Sequence, residues 1–167
     1  MTQNDERGGD GASFKTLFEQ SPDALIFSDP EGLILKWNLA AERVFGYAGQ
    51  EVAGRSLDVI IPERFRDAHW RGFRHAIKSG STKYSGRALT TRARHKPGRP
   101  LYVELTFALI RDADNNVLGV LAAARDCTES HLERKALRER TSRSEKDGGA
   151  NALALSETAA RGLADRG

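Results

Sequence analysis

Apolar and polar residues change rhythm several times along this chain, and each change marks an element. Ser13 followed by Phe14, Leu17 and Phe18 predicts a short capped helix with those three side chains facing inward. Ser21-Pro22-Asp23 breaks it. Ala24–Ser28 and Leu33–Trp37 alternate as strands, joined by the turn Asp29-Pro30-Glu31-Gly32 into an antiparallel hairpin. Asn38 can cap a helix over Leu39–Phe45 that stops at Gly46. Ala48–Pro62 is irregular, with an apolar cluster at Leu57, Val59, Ile60 and Ile61. From Pro62 to Gly80 the period is helical: Phe65, His69, Phe73 and Ala76/Ile77 share one face. Arg64, Asp67, Arg71, Arg74 and Lys78 take the other, and the basic run including Arg66 reads as a solvated face.

Three longer strands follow, over Lys83–His95, Arg99–Arg111 and Val117–Arg125. The turns Lys96-Pro97-Gly98 and 112–116 connect them. In the middle strand Val103, Leu105, Phe107 and Leu109 share one face, and Tyr102, Glu104 and Thr106 the other. Two strands, short helices and then three strands describe an α+β domain, a five-stranded antiparallel sheet with helices on one face. Residues 12–127 form that domain. Residues 1–11 are polar and glycine-rich and read as disordered. Residues 128–141 form a charged linker helix anchored by Leu132, Ala136 and Leu137, suited to pairing with a second copy. The tail 142–167, rich in Ala, Gly, Ser and charge, reads as disordered.

Composition narrows the function. The chain has 167 residues and a formal net charge of +3, from 26 basic and 23 acidic residues. That is a mixed surface, and no nucleic-acid footprint is expected. No run is long enough to span a membrane, and no apolar leader is present. A single cysteine, Cys127, fits a reducing compartment and a structural role, so a cytoplasmic protein is expected. No phosphate-cradling loop, metal-ligand cluster or nucleophile–base constellation stands out, and no enzyme is expected. His69 is the exception to a bland reading, because an imidazole inside an apolar stripe needs a hydrogen-bonding or metal partner.

Ser21-Pro22-Asp23-Ala24-Leu25-Ile26 before the Asp29–Gly32 turn, and Trp37-Asn38-Leu39-Ala40-Ala41-Glu42 leading to Phe45-Gly46-Tyr47, resemble a PAS domain. Gly119 through Arg125-Asp126-Cys127-Thr128-Glu129 resembles that family's strand-to-linker signature. Within it, Pro62-Glu63-Arg64-Phe65-Arg66-Asp67-Ala68-His69 is similar to the Pro-x-x-x-Arg-x-x-His run of the haem-binding oxygen sensors, the rhizobial sensor kinases and the direct-oxygen-sensor phosphodiesterases. The resemblance implies haem b, with His69 as the iron ligand and His75 beside the propionates. It also implies an arginine that donates to the bound gas. Arg87 offers the chemistry, but counting back from Gly98 puts the family's position at Leu89, about 7 Å further along a strand and on the same face. Leu89, Leu105 and Phe107 would complete an apolar pocket, with Ala122, Ala123 and Ala124 removing bulk. Met1 is the only methionine, so no internal methionine would close the sixth iron position. His95 and His131 are expected to be solvated.

The function implied is a sensor that binds O2, CO or NO and signals through its linker helix, as a homodimer, to a downstream protein. The flavin photosensors of the family need a reactive cysteine after the first strand pair, which this chain lacks. Two alternatives stay open: a haem-free dimerisation or interaction module, and a sensor of another small ligand.

Overall fold

The computed structural model describes residues 13–82, 84 and 86–143. The expectations for residues 1–11, and for the tail beyond residue 143, lie outside them. Helix α1 (Phe14–Gln20) precedes strands β1 (Ala24–Ser28) and β2 (Ile34–Trp37). Helices α2 (Leu39–Phe45) and α3 (Gly49–Val52), a 3-10 turn (Leu57–Val59) and helix α4 (Glu63–Ser79) come next. Strands β3 (Leu89–Arg94), β4 (Pro100–Arg111) and β5 (Val117–Asp126) close the domain. All neighbours are antiparallel, and the order across the five-stranded sheet is β2-β1-β5-β4-β3. The chain divides at Thr128 into two compact units. Residues 128–143 are helical.

Local chemistry explains the elements. Ser13 caps α1, its hydroxyl accepting from Thr16 N at 3.2 Å. Asn38 caps α2 and does more. Its Oδ1 accepts from Ala41 N and Leu25 N, each at 2.9 Å, and its Nδ2 donates to the carbonyls of Phe18 and Asp23 at 3.0 and 2.9 Å. One fully buried side chain therefore ties α1, β1 and α2 together, with all of its amide hydrogen-bonding groups in use. Gly46, at φ +79°, ends α2 and donates its N–H to Glu42 O.

Side-chain parity and register divide the sheet into two faces. The inner face pairs Ala24 with Ala124, Ile26 with Ala122, Ser28 with Val120, Leu105 with Ala124 and Phe107 with Ala122. Its core also takes in Ile34, Trp37, Phe45, Val52, Phe73, Leu101 and Val103.

Two expectations need correcting. Phe14 and Leu17 are 71% and 58% exposed, because α1 is held by its polar link to Asn38 and buries no residue of its own. The third strand starts at Leu89, later than expected: Gly86 takes φ +69° and Arg87 N donates to Tyr84 O, so a turn precedes it.

Candidate functional site

Helix α4 carries the residue that the sequence singled out. Its inward stripe in the structure is Arg66, His69, Trp70, Phe73, Ala76 and Ile77. These are the i, i+3, i+4, i+7 positions of one face. Phe65, expected on that face, is 37% exposed at its edge under the Arg64 guanidinium. Arg66, expected to be solvated, is half-buried. Its Nη2 donates to Asp58 O at 3.1 Å and its Nε to Ile61 O at 3.3 Å.

The His69 ring is packed among aromatics. It meets the Trp70 ring edge-on at 4.9 Å and the Phe73 ring at 5.8 Å. Its Nδ1 is buried without a hydrogen bond. Burial pushes the imidazole below its ordinary pKa, and the nearby Asp58 carboxylate opposes that shift only in part. His69 is therefore held neutral near pH 7, the form in which an imidazole ligates a metal.

Trp70 is a further residue of this site. Its Nε1 donates to Asp58 Oδ1 at 2.8 Å. Its six-membered ring lies on Gly32, where a Cβ would stand 2.4 Å from the indole. Gly32 also has φ +84°, so the turn needs glycine twice over. An Asp with a Trp twelve residues later carries no periodic signal, so nothing in the sequence pattern marked this pair.

Opposite α4 stands the inner face of the sheet. Phe73 belongs to the core, and Trp70, Ile77, Leu105 and Val120 pack against it. Leu101 and Val103, at one end of β4, are fully buried, yet Leu105, Phe107, Leu109, Val120 and Ala122 stay half-buried although they face inward. The inward face of β4 and β5 thus keeps partly accessible apolar side chains. Leu89 pairs with Leu105, two positions along β4 from Phe107, so these three expected wall residues share one face as the register requires. The Phe107 ring also meets Tyr84 at 6.1 Å. Ala122 and Ala124 lie on this face, whereas Ala123 pairs with Leu25 on the other.

The remaining candidates lie elsewhere. His75 is exposed, six residues and so about 240° round the helix from His69. Arg87 is exposed in the turn before β3, so the strand-parity argument for it fails; Leu89 holds the position on the strand. His95 is 9% exposed and His131 half-buried; neither is solvated as expected. The β3–β4 turn folds over the end of α2, Lys96 N donating to Phe45 O. His95 then packs so closely on Gly46 that a Cβ there would lie 2.9 Å from its Cε1.

A bare metal ion at His69 would need further side-chain ligands. Among the described residues no group of three His, Cys, Asp or Glu could hold one. A macrocyclic iron brings four nitrogen ligands of its own and needs from the protein one neutral imidazole and an apolar enclosure. A neutral imidazole with a buried, unbonded Nδ1, packed against Trp70 and the core residue Phe73, fits that requirement.

Residues 12–127 match the family described as the PAS fold. The chain belongs to the PAS family. Among curated relatives it is similar to the Oxygen sensor protein DosP of Escherichia coli, 25% identical over 80% of this chain and 16% of that protein. It is also similar to the Sensor protein FixL of Bradyrhizobium diazoefficiens, 34% identical over 33% of this chain and 11% of that one. The chain thus spans under a fifth of either relative. Of solved structures, an RNA-binding light-oxygen-voltage receptor superposes with a TM-score of 0.64 at 23% identity, covering 77% of this chain and 36% of that one. That likeness supports the fold alone. The protein carries a PAS sensor domain with distant similarity to an oxygen sensor protein. Among the described residues no helix is long and apolar enough to cross a membrane.

Proposed function

We propose that this PAS domain binds haem b through His69 and senses a diatomic gas, O2, CO or NO. The observation that carries the reading is the His69 imidazole, neutral at pH 7, its Nδ1 buried and unbonded, on the inward face of α4. The Pro62–His69 run and the similarity to an oxygen sensor protein support it. When bound, ferrous haem would supply the open coordination position at which a gas is held. The chain's own residues do the rest. His69 offers a lone pair without first losing a proton, and Trp70 and Phe73 fix its ring. Leu89, Leu105 and Phe107, half-buried on one face of the sheet, would supply an apolar wall.

Output would follow from geometry. The walls are strands β4 and β5, and β5 runs through Arg125 and Asp126 into the helix at residues 128–143. Asp126 Oδ1 accepts from Thr128 N at 2.9 Å, and Thr128 Oγ1 accepts from Tyr102 N at 2.9 Å. A ligand that favours one arrangement of the wall therefore biases the start of the linker, by no more than its difference in affinity for the two arrangements. Pairing of that helix with a second copy, and a downstream signalling protein in the cytoplasm, complete the reading. Arg87 and His75 would need to move inward to contribute.

The test is an absorption spectrum of protein produced with haem supply, beside His69→Ala. A Soret band in the range of about 400–430 nm, lost or shifted in the variant, is expected. A colourless wild type that also refuses added haem would leave a haem-free interaction module, or a sensor of another small ligand.

A further inference from the structure

We infer that Asp58, a residue of the 3-10 turn and not of α4, is the positioning residue for His69. The inference rests on the reading of His69 as a ligand, and its test separates the two. Helix α4 buries fully only Phe73, so the side-chain bonds along it set its height and rotation. The N-cap position, Pro62, has no side-chain cap bond. At the C-terminal end Arg111 Nη2 donates to Gly80 O at 2.5 Å, far along the helix from His69. Near His69 the polar attachments of the helix converge on Asp58, apart from the bond of Arg66 Nε to Ile61 O. Its Oδ1 accepts from Trp70 Nε1 at 2.8 Å, its carbonyl accepts from Arg66 Nη2 at 3.1 Å, and its carboxylate stands 3.6 Å from Arg66 Nε.

Arg66 and Trp70 flank His69 at i−3 and i+1, so holding both fixes the rotation of that helical turn and not merely its distance. Trp70 then presses edge-on against the His69 ring at 4.9 Å. The anchor is itself fixed. Asp58 N donates to Ser56 Oγ at 3.2 Å, Ser56 bridges to Leu33, and Leu57 N donates to Gly32 O at 3.1 Å. Gly32 also receives the Trp70 ring. The imidazole is therefore referenced to the β1–β2 hairpin through one carboxylate and one indole. Asp58 touches neither iron nor gas in this scheme; it acts through Trp70 and Arg66.

The experiment compares Asp58→Ala, Asp58→Asn and Trp70→Phe in the full chain, first without haem and then loaded with it. The chain has two tryptophans. The indole of Trp37, bonded to Tyr47 O at 3.1 Å, serves as an internal reference. Without haem, Asp58→Ala should speed exchange of the Trp70 indole proton about tenfold or more, leave that of Trp37 unchanged, and shift the His69 Cε1–H resonance at pH 8. Asp58→Asn keeps an acceptor oxygen and should restore most of both signals; Trp70→Phe should shift the His69 resonance as Asp58→Ala does. With haem, loss to an excess of apomyoglobin should be about tenfold faster for Asp58→Ala than for wild type, with Asp58→Asn between them.

An unmoved His69 resonance in Asp58→Ala overturns the inference, as does equal acceleration of both indoles there with no rescue by Asp58→Asn. If wild type takes up no haem, the gas-sensor reading fails on its own account. The haem-free spectra then still decide whether Asp58 positions His69.

Discussion

Two histidines with a buried ring nitrogen, His69 and His95, bear on stability near neutral pH. His69 and His95 each have an Nδ1 buried without a hydrogen bond. Burial is the main cause that lowers both from the ordinary value of 6.5; for His95 the Arg99 charge adds to it and Asp126 opposes it. A histidine with a lower pKa in the folded state takes up its proton more readily when unfolded. Its neutral form thus contributes fully above about pH 6.5, and that contribution is lost as pH falls toward the folded-state value. Asp23, Asp112 and Asp126 are lowered from 3.8, so their losses come at more acid pH and the windows separate. Thermal unfolding should fall in midpoint between about pH 7.5 and 5.5, with a shallower slope in His95→Gln. A midpoint independent of pH in wild type would contradict this account. The same residues mark the limit of a local reading. His69 stands out by its place in an apolar stripe, whereas His95 looks like a surface residue beside a turn. Only the folding of that turn across Gly46 buries it.

Among the elements, α2 and α4 are held in opposite ways. Helix α2 has three buried residues and the Asn38 hub. Asn38→Ala would leave two buried N–H groups and two carbonyls without their partner, and a cost of about 2–4 kcal/mol is expected. Urea unfolding checks it, and a loss under about 1 kcal/mol would mean that water replaces the hub. Helix α4, at 17 residues the longest of the domain, buries fully only Phe73 and depends on side-chain latches. An element so held can shift with little loss of packing, which suits a helix that carries a ligand. Asn38 is legible as a cap because Asn before an apolar helix is a local signal. The latch of Asp58 on Trp70 is not, since it joins residues twelve apart through three-dimensional proximity. The start of β3 escapes the pattern for a related reason: alternation continues through Arg87, but the positive φ of Gly86 turns the chain out of the strand.

For the whole molecule, the core residues all fall between Ala24 and Ala124, and the chain divides at Thr128. The first unit therefore contains its own core. A chain ending after Thr128 should keep a single cooperative unfolding transition, with a midpoint within about 5 °C of the full chain. Loss of cooperative unfolding would show that the domain depends on the residues after Thr128. Thr128 is retained in that test because its Oγ1 bonds Tyr102 N at the edge of β4.

Five strands, the caps at Ser13 and Asn38, the His69 helix and the pairing faces of Leu89, Leu105 and Phe107 are legible in the order of residues alone. Each arises from periodicity or from a residue acting on its immediate neighbours, and such effects are written in order along the chain. Tertiary structure decided the strand order, the burial of His95, the exposure of Arg87 and His75, and the latch that joins Asp58, Trp70 and Gly32. Those depend on which distant segments come together. That is set by the balance of burial and desolvation over the whole fold, which no local pattern records.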